Sequence, residues 1–474
     1  MADRPNPRHL QRNIIIIQLL ALFFRSSALF SPPDNHLISC GSISPITLHD
    51  HRIFLPDATF LISSNPKISI SADANAFLQS NSYASVYQSA RIFTSPSSYE
   101  FQIRSKCIHI IRLHFYPFST GSHNLASARF HVVASGFVLL SNFTASSDSP
   151  LKEFMLRVDG EKLVIFFVPV DSSSFAFVNA IEVISAPVDL VEDKERLVQT
   201  DQVMNFDGLS KQVMETLFRI NVGGPKVTPF NDTLWRTWVP DNEFFDSDYV
   251  TKIVSFSGRI MYRRYGASRE VAPDSVYNTA RIIDVVNSSE VSSRMTWKFP
   301  VDHGYKYLIR MHFCDIASLA LNELYFNVYI NGYLAYENFD ISSETGQVLA
   351  SPYYVDFVAD MGSSGILFVS VGPSGFVGHS RVDGLLNGLE IMKLNNTVGS
   401  LDGQLPFSLV LHSSRGGFSA AVRSLICWSA FVMLSVVGFM LILRWRAESR
   451  NHIAWTALPM DASGVKIAKG GQFA

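Results

Sequence analysis

The chain has 474 residues, 47% of them hydrophobic and 12% aromatic, enough for two domains with full cores. Its formal net charge of −2 and the absence of a basic stripe exclude nucleic acid as a natural partner. Four cysteines are too few for a scaffold built on disulfides.

Residues 1–28 read as a secretory signal peptide. Arg4, Arg8 and Arg12 give a basic start, residues 14–24 a short apolar core, and Ser26-Ser27-Ala28 a cleavage point of small residues. The core falls short of the about 20 apolar residues that span a bilayer.

Beyond the signal the chain repeats itself. Val86-Tyr87-Gln88-Ser89-Ala90-Arg91 returns as Val276-Tyr277-Asn278-Thr279-Ala280-Arg281, and Ile111-Arg112-Leu113-His114-Phe115 returns as Ile309-Arg310-Met311-His312-Phe313. Phe130-His131-Val132, with Gly136 and Asn142-Phe143 behind it, matches Phe326-Asn327-Val328, with Gly332 and Asn338-Phe339 behind it. Asn179-Ala180-Ile181-Glu182 and Asn387-Gly388-Leu389-Glu390 close the two copies. Repeats this long are duplicated domains, not solenoid units. They predict a first domain over 29–190 and a second over 219–395. The linker of 191–218 has Leu209, Val213 and Leu217 at i, i+4, i+8, which predicts a short helix.

Both copies alternate as strands do. Ile108, Ile110, Arg112 and His114 point one way and His109, Ile111, Leu113 and Phe115 the other. Turn signals punctuate the strands at Asp159-Gly160, Asn331-Gly332, Gly372-Pro373 and Asp383-Gly384. The expected fold class is all-β, with two tandem β-sandwiches.

Catalytic signatures are missing. No Gly-x-Ser-x-Gly elbow, His-Glu-x-x-His helix or kinase catalytic loop occurs, and Gly223-Gly224-Pro225 lacks the Lys-Ser/Thr of a phosphate loop. Arg112 with His114, repeated as Arg310 with His312, could form a base beside a cation. Duplication favours a structural role instead. The acidic run Asp241, Glu243, Asp246 and Asp248 reads as a solvated turn, with calcium as the alternative. No cofactor and no metal is expected. Trp235, Trp238, Asp241 and Asn242 combine aromatic platforms with polar groups and form a candidate ligand-binding cluster; core tryptophans are the alternative.

Cys40, Cys107 and Cys314 read as buried thiols, with a Cys40–Cys107 disulfide as the alternative. Asn-x-Ser/Thr sequons at Asn142, Asn231, Asn287 and Asn395 mark candidate glycosylation sites. Residues 396–423 are expected to form an extracellular juxtamembrane stretch. Residues 424–443 carry no charge, long enough at about 1.5 Å per residue to cross a bilayer. Arg444, Arg446 and Arg450 follow, placing the polar tail of 444–474 in the cytoplasm of a single-pass, type I plasma-membrane protein.

Several motifs resemble the plant malectin-like receptor kinases, the Feronia and Theseus group. They are Leu37-Ile38-Ser39-Cys40-Gly41-Ser42, Ile111-Arg112-Leu113-His114-Phe115-Tyr116-Pro117-Phe118, Arg219-Ile220-Asn221-Val222-Gly223-Gly224-Pro225, Arg310-Met311-His312-Phe313-Cys314-Asp315 and Trp455-Thr456-Ala457-Leu458. The resemblance implies tandem malectin-like, jelly-roll-like sandwiches on a membrane receptor. It also implies a secreted signalling peptide and a lipid-anchored co-receptor as partners, with cell-wall polysaccharide as a further ligand class. The kinase domain of that group is not matched here, so phosphoryl transfer is not carried over. The leading expectation is a receptor ectodomain without an enzyme activity, a truncated receptor kinase or a decoy, with its ligand between the two sandwiches. A membrane-tethered lectin for wall polysaccharide is the alternative, and a glycosidase would need a carboxylate pair that no motif points to.

Overall fold

The computed structural model describes residues 30–62, 68–72, 82–200, 202–246, 251–264, 266–284, 294–375 and 382–414. The expected signal peptide, the apolar stretch at 424–443, the expected tail and Asn287 lie outside the described residues. Among the described residues no helix is long and apolar enough to cross a membrane.

Strands dominate, as the alternation predicts. Ile108–His114 is buried along its whole length. Ile111 and Leu113 face the first repeat's core with Tyr99, Phe130 and Phe167. Ile108 and Ile110 face the opposite side, packing with Met155, Leu190 and Leu234. The counterpart strand Lys306–Cys314 sends Ile309, Met311 and Phe313 into a second core around Trp297 and Phe326. Each repeat has its own hydrophobic centre.

One sheet of 13 strands runs through both repeats. Its order begins at Val203–Asp207 and Lys194–Val198, and continues through Pro352–Asp360, Lys306–Cys314, Gly388–Leu394 and Met214–Asn221. There it passes from the second repeat to the first: Met214–Asn221 pairs antiparallel with Leu151–Arg157, Phe154 opposite Glu215 and Met155 opposite Met214. Ile108–His114, Ala180–Ser185, Asn35–Ser39, Ile53–Pro56 and Ile46–Thr47 follow, and the short Val239–Pro240, parallel to Met214–Asn221 off this path, completes it. Across each core lies a second sheet, built on Phe130–Ala134 and Lys162–Pro169 in one repeat and on Tyr325–Ile330 and Ile366–Pro373 in the other.

The stretch over 191–218 corrects the helix expectation. Leu209 opens a single 3₁₀ turn, Leu209–Lys211, and Val213 leads into the strand Met214–Asn221. Sheet pairing on both sides of that strand outweighs the weak helical spacing. Upstream, Lys194–Val198 and Val203–Asp207 form a hairpin that adds to the edge of the second repeat, Leu197 opposite Val358.

One of the four turn signals, Asn331-Gly332, closes a hairpin, while Asp159-Gly160 joins Leu151–Arg157 to Lys162–Pro169 in a different sheet. Asn331 and Gly332 both have positive φ, 52° and 82°, as do Ser135 and Gly136 at the equivalent place, 49° and 87°. Gly372-Pro373 instead ends the strand Ile366–Pro373, and Asp383-Gly384 lies within Val382–Leu386. Glycine and proline are tolerated at strand ends and irregular ladders.

The three described cysteines are free, which overturns the Cys40–Cys107 bridge. Cys40 follows the strand Asn35–Ser39 near the His114 end of the sheet, since Ser39 is opposite Ala180 and Ala180 opposite His114. Cys107 precedes Ile108 at the other end, about 20 Å of strand away and beyond any disulfide's reach. Asn142 and Asn231 are exposed. Asn395 is half-buried: its Oδ1 accepts the Val213 N–H at 2.8 Å, and its Nδ2 donates to the Asn396 carbonyl at 3.0 Å.

The residues after 395 return to the first repeat. Ser400 bridges to Val138, Leu401 enters the first core, and Asp402 accepts the Ser141 N–H at 2.9 Å. Phe407, Val410 and Leu411 of the helix Phe407–Ser414 then cover Val133, Val138 and Val168.

Gly41 and Gly223 hold the same backbone position in the two repeats, with φ of 82° and 66°. A Cβ on Gly41 would lie 2.4 Å from the Ala90 carbonyl oxygen, and one on Gly223 2.7 Å from that of Ala280. Gly223→Ala combines strain at positive φ with overpacking, and should cost about 2–4 kcal/mol of stability in chemical denaturation. Gly136→Ala, whose Cβ meets nothing, should cost clearly less.

Candidate functional site

The face of the long sheet that carries Arg112 and His114 becomes a chain of buried charges. Arg112 donates through Nε to Glu153 at 2.7 Å, through Nη1 to Glu182 at 2.9 Å, and through Nη2 to the Leu234 carbonyl at 2.8 Å. His114 Nε2 bonds Glu182 at 3.0 Å while the Tyr87 hydroxyl donates to Nδ1 at 3.1 Å. That pairing assigns the proton to Nε2. The second repeat has the same arrangement: Arg310 grips Asp356 bidentately, His312 Nε2 bonds Glu390 at 3.1 Å, and the Tyr277 hydroxyl meets Nδ1 at 3.2 Å. Burial lowers the pKa of both imidazoles, and a hydrogen-bonded carboxylate only partly opposes it. Both ring nitrogens being bonded, neither histidine is placed to act as a base on a ligand.

Asn179 and Asn387 repeat a second device, accepting the N–H of Tyr116 and of Cys314, both at 2.7 Å. Each donates back to a carbonyl, Ser89 in the first repeat and Thr279 in the second.

The expected cluster of Trp235, Trp238, Asp241 and Asn242 does not converge. Trp238 is fully buried, with Nε1 donating to Asp232 at 3.0 Å. Asp241 is buried too, accepting from Arg281, Trp297 and Gly223. It is therefore not the solvated turn the acidic run suggested, while Asp248 lies outside the described residues. Asn242 is exposed, and half-buried Trp235 packs on the first repeat's cluster of Phe54, Tyr83 and Tyr87. A sequence signal for this was present: Arg52-Ile53-Phe54-Leu55-Pro56-Asp57 repeats as Arg236-Thr237-Trp238-Val239-Pro240-Asp241. Trp238 thus stands where Phe54 stands. Asp241 holds Arg281 as Asp57 holds Arg91, with Trp297 Nε1 and the Tyr99 hydroxyl as matching donors. Among the described residues no cluster of His, Cys, Asp or Glu is grouped to hold a metal.

An open cleft does lie between the repeats, with a volume of about 690 Å³. Tyr83, Tyr87, Tyr116 and Asp148 line it from the first repeat, and Lys226, Thr228, Pro229 and Thr237 from the second. The rings of Tyr87 and Tyr116 stack at 5.1 Å and 7°, and Tyr83 continues the stack at 6.0 Å. The Arg52 guanidinium lies 5.0 Å from the Tyr83 ring centre and holds it from behind. Burial raises the pKa of the Tyr83 and Tyr87 hydroxyls, so both stay protonated. The cleft offers a ring face, hydroxyls and one ammonium, with no activated nucleophile.

Residues 38–394 match the malectin-like domain. The chain belongs to the malectin-like family. Over 461 residues it is 44% identical to a probable receptor-like protein kinase of Arabidopsis thaliana, covering 94% of this chain and 54% of that one. The receptor-like protein kinase THESEUS 1 of Arabidopsis thaliana is 40% identical over 402 residues, covering 83% and 46%. The malectin-like chain thus spans about half the length of the curated relatives it matches. The extracellular domain of ANXUR1 from Arabidopsis thaliana superposes with a TM-score of 0.69 at 31% identity, covering 79% of this chain and all of that one. FER, solved in complex with the plant peptide RALF23 and LLG2, gives 0.66 at 30% identity, covering 80% and 99%.

Glu153 connects the two repeats: its Oε1 accepts from Arg219 of the second at 2.7 Å, while its Oε2 holds Arg112. Glu153→Gln leaves two buried guanidinium groups short of charge and should cost about 3–5 kcal/mol, measured by urea unfolding. Arg219→Met in the same background should then cost much less than it does alone. Despite burial, Arg219 and Arg112 hold the Glu153 pKa down at about 2 from 4.5. Its contribution is thus present above about pH 4.5 and lost as pH falls towards about 2. Acid titration followed by tryptophan fluorescence should show wild-type unfolding in that window, and a weaker pH dependence in Glu153→Gln.

Proposed function

We propose that this chain is the ligand-binding part of a plasma-membrane receptor, taking a secreted peptide in the cleft between its two repeats with a lipid-anchored co-receptor beside it. Its own role is binding, not catalysis. The observation that carries the reading is the likeness to FER, which was captured with a peptide and a second protein and is covered over 99% of its solved chain. The cleft adds a preformed site of suitable size whose tyrosines are held rigid from behind. Continuity of the sheet between the repeats fixes the two walls of that cleft, so little ordering cost falls on binding.

A carbohydrate reading draws on the tyrosine stack beside Asp148. Tyr83 and Tyr87 are buried, which leaves half-buried Tyr116 as the ring face for a sugar. Surface plasmon resonance on the full chain, with RALF23 peptide in the presence and absence of LLG2, separates the two. Peptide binding that weakens at least about tenfold in a Tyr116→Ala, Lys226→Glu variant of unchanged melting temperature is the expected result. No RALF23 binding under either condition, alongside glycan-array signals that vanish with Tyr116→Ala, would favour the lectin.

A further inference from the structure

The two repeats are built alike, but they are not completed alike. In the first, Glu153 lies on the outer strand Leu151–Arg157, and the strand that pairs with it comes from the second repeat. That neighbour supplies a cation, Arg219, 2.7 Å from Glu153 Oε1. In the second repeat the equivalent carboxylate is Asp356, opposite Arg310 just as Glu153 is opposite Arg112. Its neighbouring strand is Lys194–Val198, and the side chain this strand brings to Asp356 is Glu195, a second carboxylate. Where the first repeat has a carboxylate and a cation, the second has two carboxylates.

A cavity of about 720 Å³ opens at that place, with Glu195 and Asp356 both in its wall. Glu195 is half-buried, and while its backbone pairs in the hairpin ladder, its carboxyl has no hydrogen-bond or ion-pair partner among the described residues. Asp356 spends both oxygens on Arg310, one donor to each. The cations nearby are committed or set aside. Arg196 stacks 4.1 Å from the Tyr336 ring centre, and Arg263 lies against Gly346, where a Cβ would meet its guanidinium. Arg264 and Lys194 are exposed on the rim, as is the carboxylate Glu192.

We propose that this cavity takes the lysine or arginine side chain of a partner peptide, its charge standing at Glu195 and Asp356 where Arg219 stands at Glu153. The site is distinct from the cleft between the repeats and rests on reading the chain as a peptide receptor. Burial and the Asp356 charge push the Glu195 carboxyl up to about 9. Arg310 and Arg196 oppose that shift and Glu192 adds to it. In the empty site Glu195 is therefore protonated at neutral pH, and a bound cation must displace that proton. Affinity for a cation rises with pH until Glu195 ionises by itself, and is nearly flat above that.

Isothermal titration of the full chain with acetyl-Gly-Arg-Gly-amide, and with the same peptide carrying citrulline for arginine, tests this. The arginine peptide should bind about tenfold tighter for each unit from pH 6 to 8, releasing about one proton per peptide in buffers of different ionisation enthalpy. The citrulline peptide should not bind measurably. Glu195→Gln should fold with an unchanged or higher melting temperature, weaken the arginine peptide more than about tenfold, and abolish the proton release. Equal binding of both peptides, wild-type affinity in Glu195→Gln, or no binding of the arginine peptide at millimolar concentration would each overturn the proposal. Loss of this site with RALF23 binding intact would leave the cleft reading standing. Arginine-peptide binding without any RALF23 binding would support the site and count against the cleft as the peptide's seat.

Discussion

A single carboxylate holds the two halves of this protein in register. Glu153 belongs to the first repeat, yet its two oxygens serve Arg112 of its own repeat and Arg219 of the next. Arg219 in turn reaches Glu390, and Glu390 holds His312, while Arg112 reaches Glu182, which holds His114 and Arg52. Every member but the partly buried Arg219 is buried, so these charges must find their partners inside. Two sandwiches joined only by apolar packing could slide against each other. Joined through this relay and a shared ladder of hydrogen bonds, they have one relative position.

Duplication explains why the relay lies where it does. A sandwich of this kind leaves the outer strand of its main sheet unpaired, an edge that invites unwanted association. The first repeat covers its edge, Leu151–Arg157, with the opening strand of the second. The second covers its edge, Pro352–Asp360, with a hairpin taken from the connecting segment. A linker in sequence is thus an edge guard in structure. Its side chains were not copied from the strand it replaces, and that difference leaves the carboxylates Glu195 and Asp356 facing one another.

Strand alternation and the order of the repeated blocks made the two-sandwich plan readable, because burial on one face imposes a period of two wherever it occurs. The structural role of Arg112, His114 and their copies was readable for the same reason. The connecting segment was misread because Leu209, Val213 and Leu217 fit a helical stripe, and the ladder that pulls residues 214–221 straight comes from strands more than fifty residues away in either direction. Trp238 and Asp241 looked like part of a ligand-binding cluster until aligned with Phe54 and Asp57, a match hidden by the change from phenylalanine to tryptophan. The tyrosines of the cleft were readable only in part: Tyr83 precedes Tyr87 by one turn, the Tyr87 N–H bonding its carbonyl at 3.2 Å, but Tyr116 is brought beside them from the end of another strand, a proximity no local pattern records.

The return of the chain to the first repeat sets a path for mechanical load. After leaving the last strand of the second repeat, the backbone bridges Ser400 to Val138, buries Leu401 and lays Phe407 and Val410 over Val133 and Val168. Tension applied beyond Leu411 would therefore reach the first repeat before the strand Gly388–Leu394 felt it. It would peel the short contact at Ser400 before shearing the long sheet, since a ladder pulled along its strands shares the load among many bonds and an isolated bridge does not. The attachment would yield first, and the relation between the two repeats would outlast it.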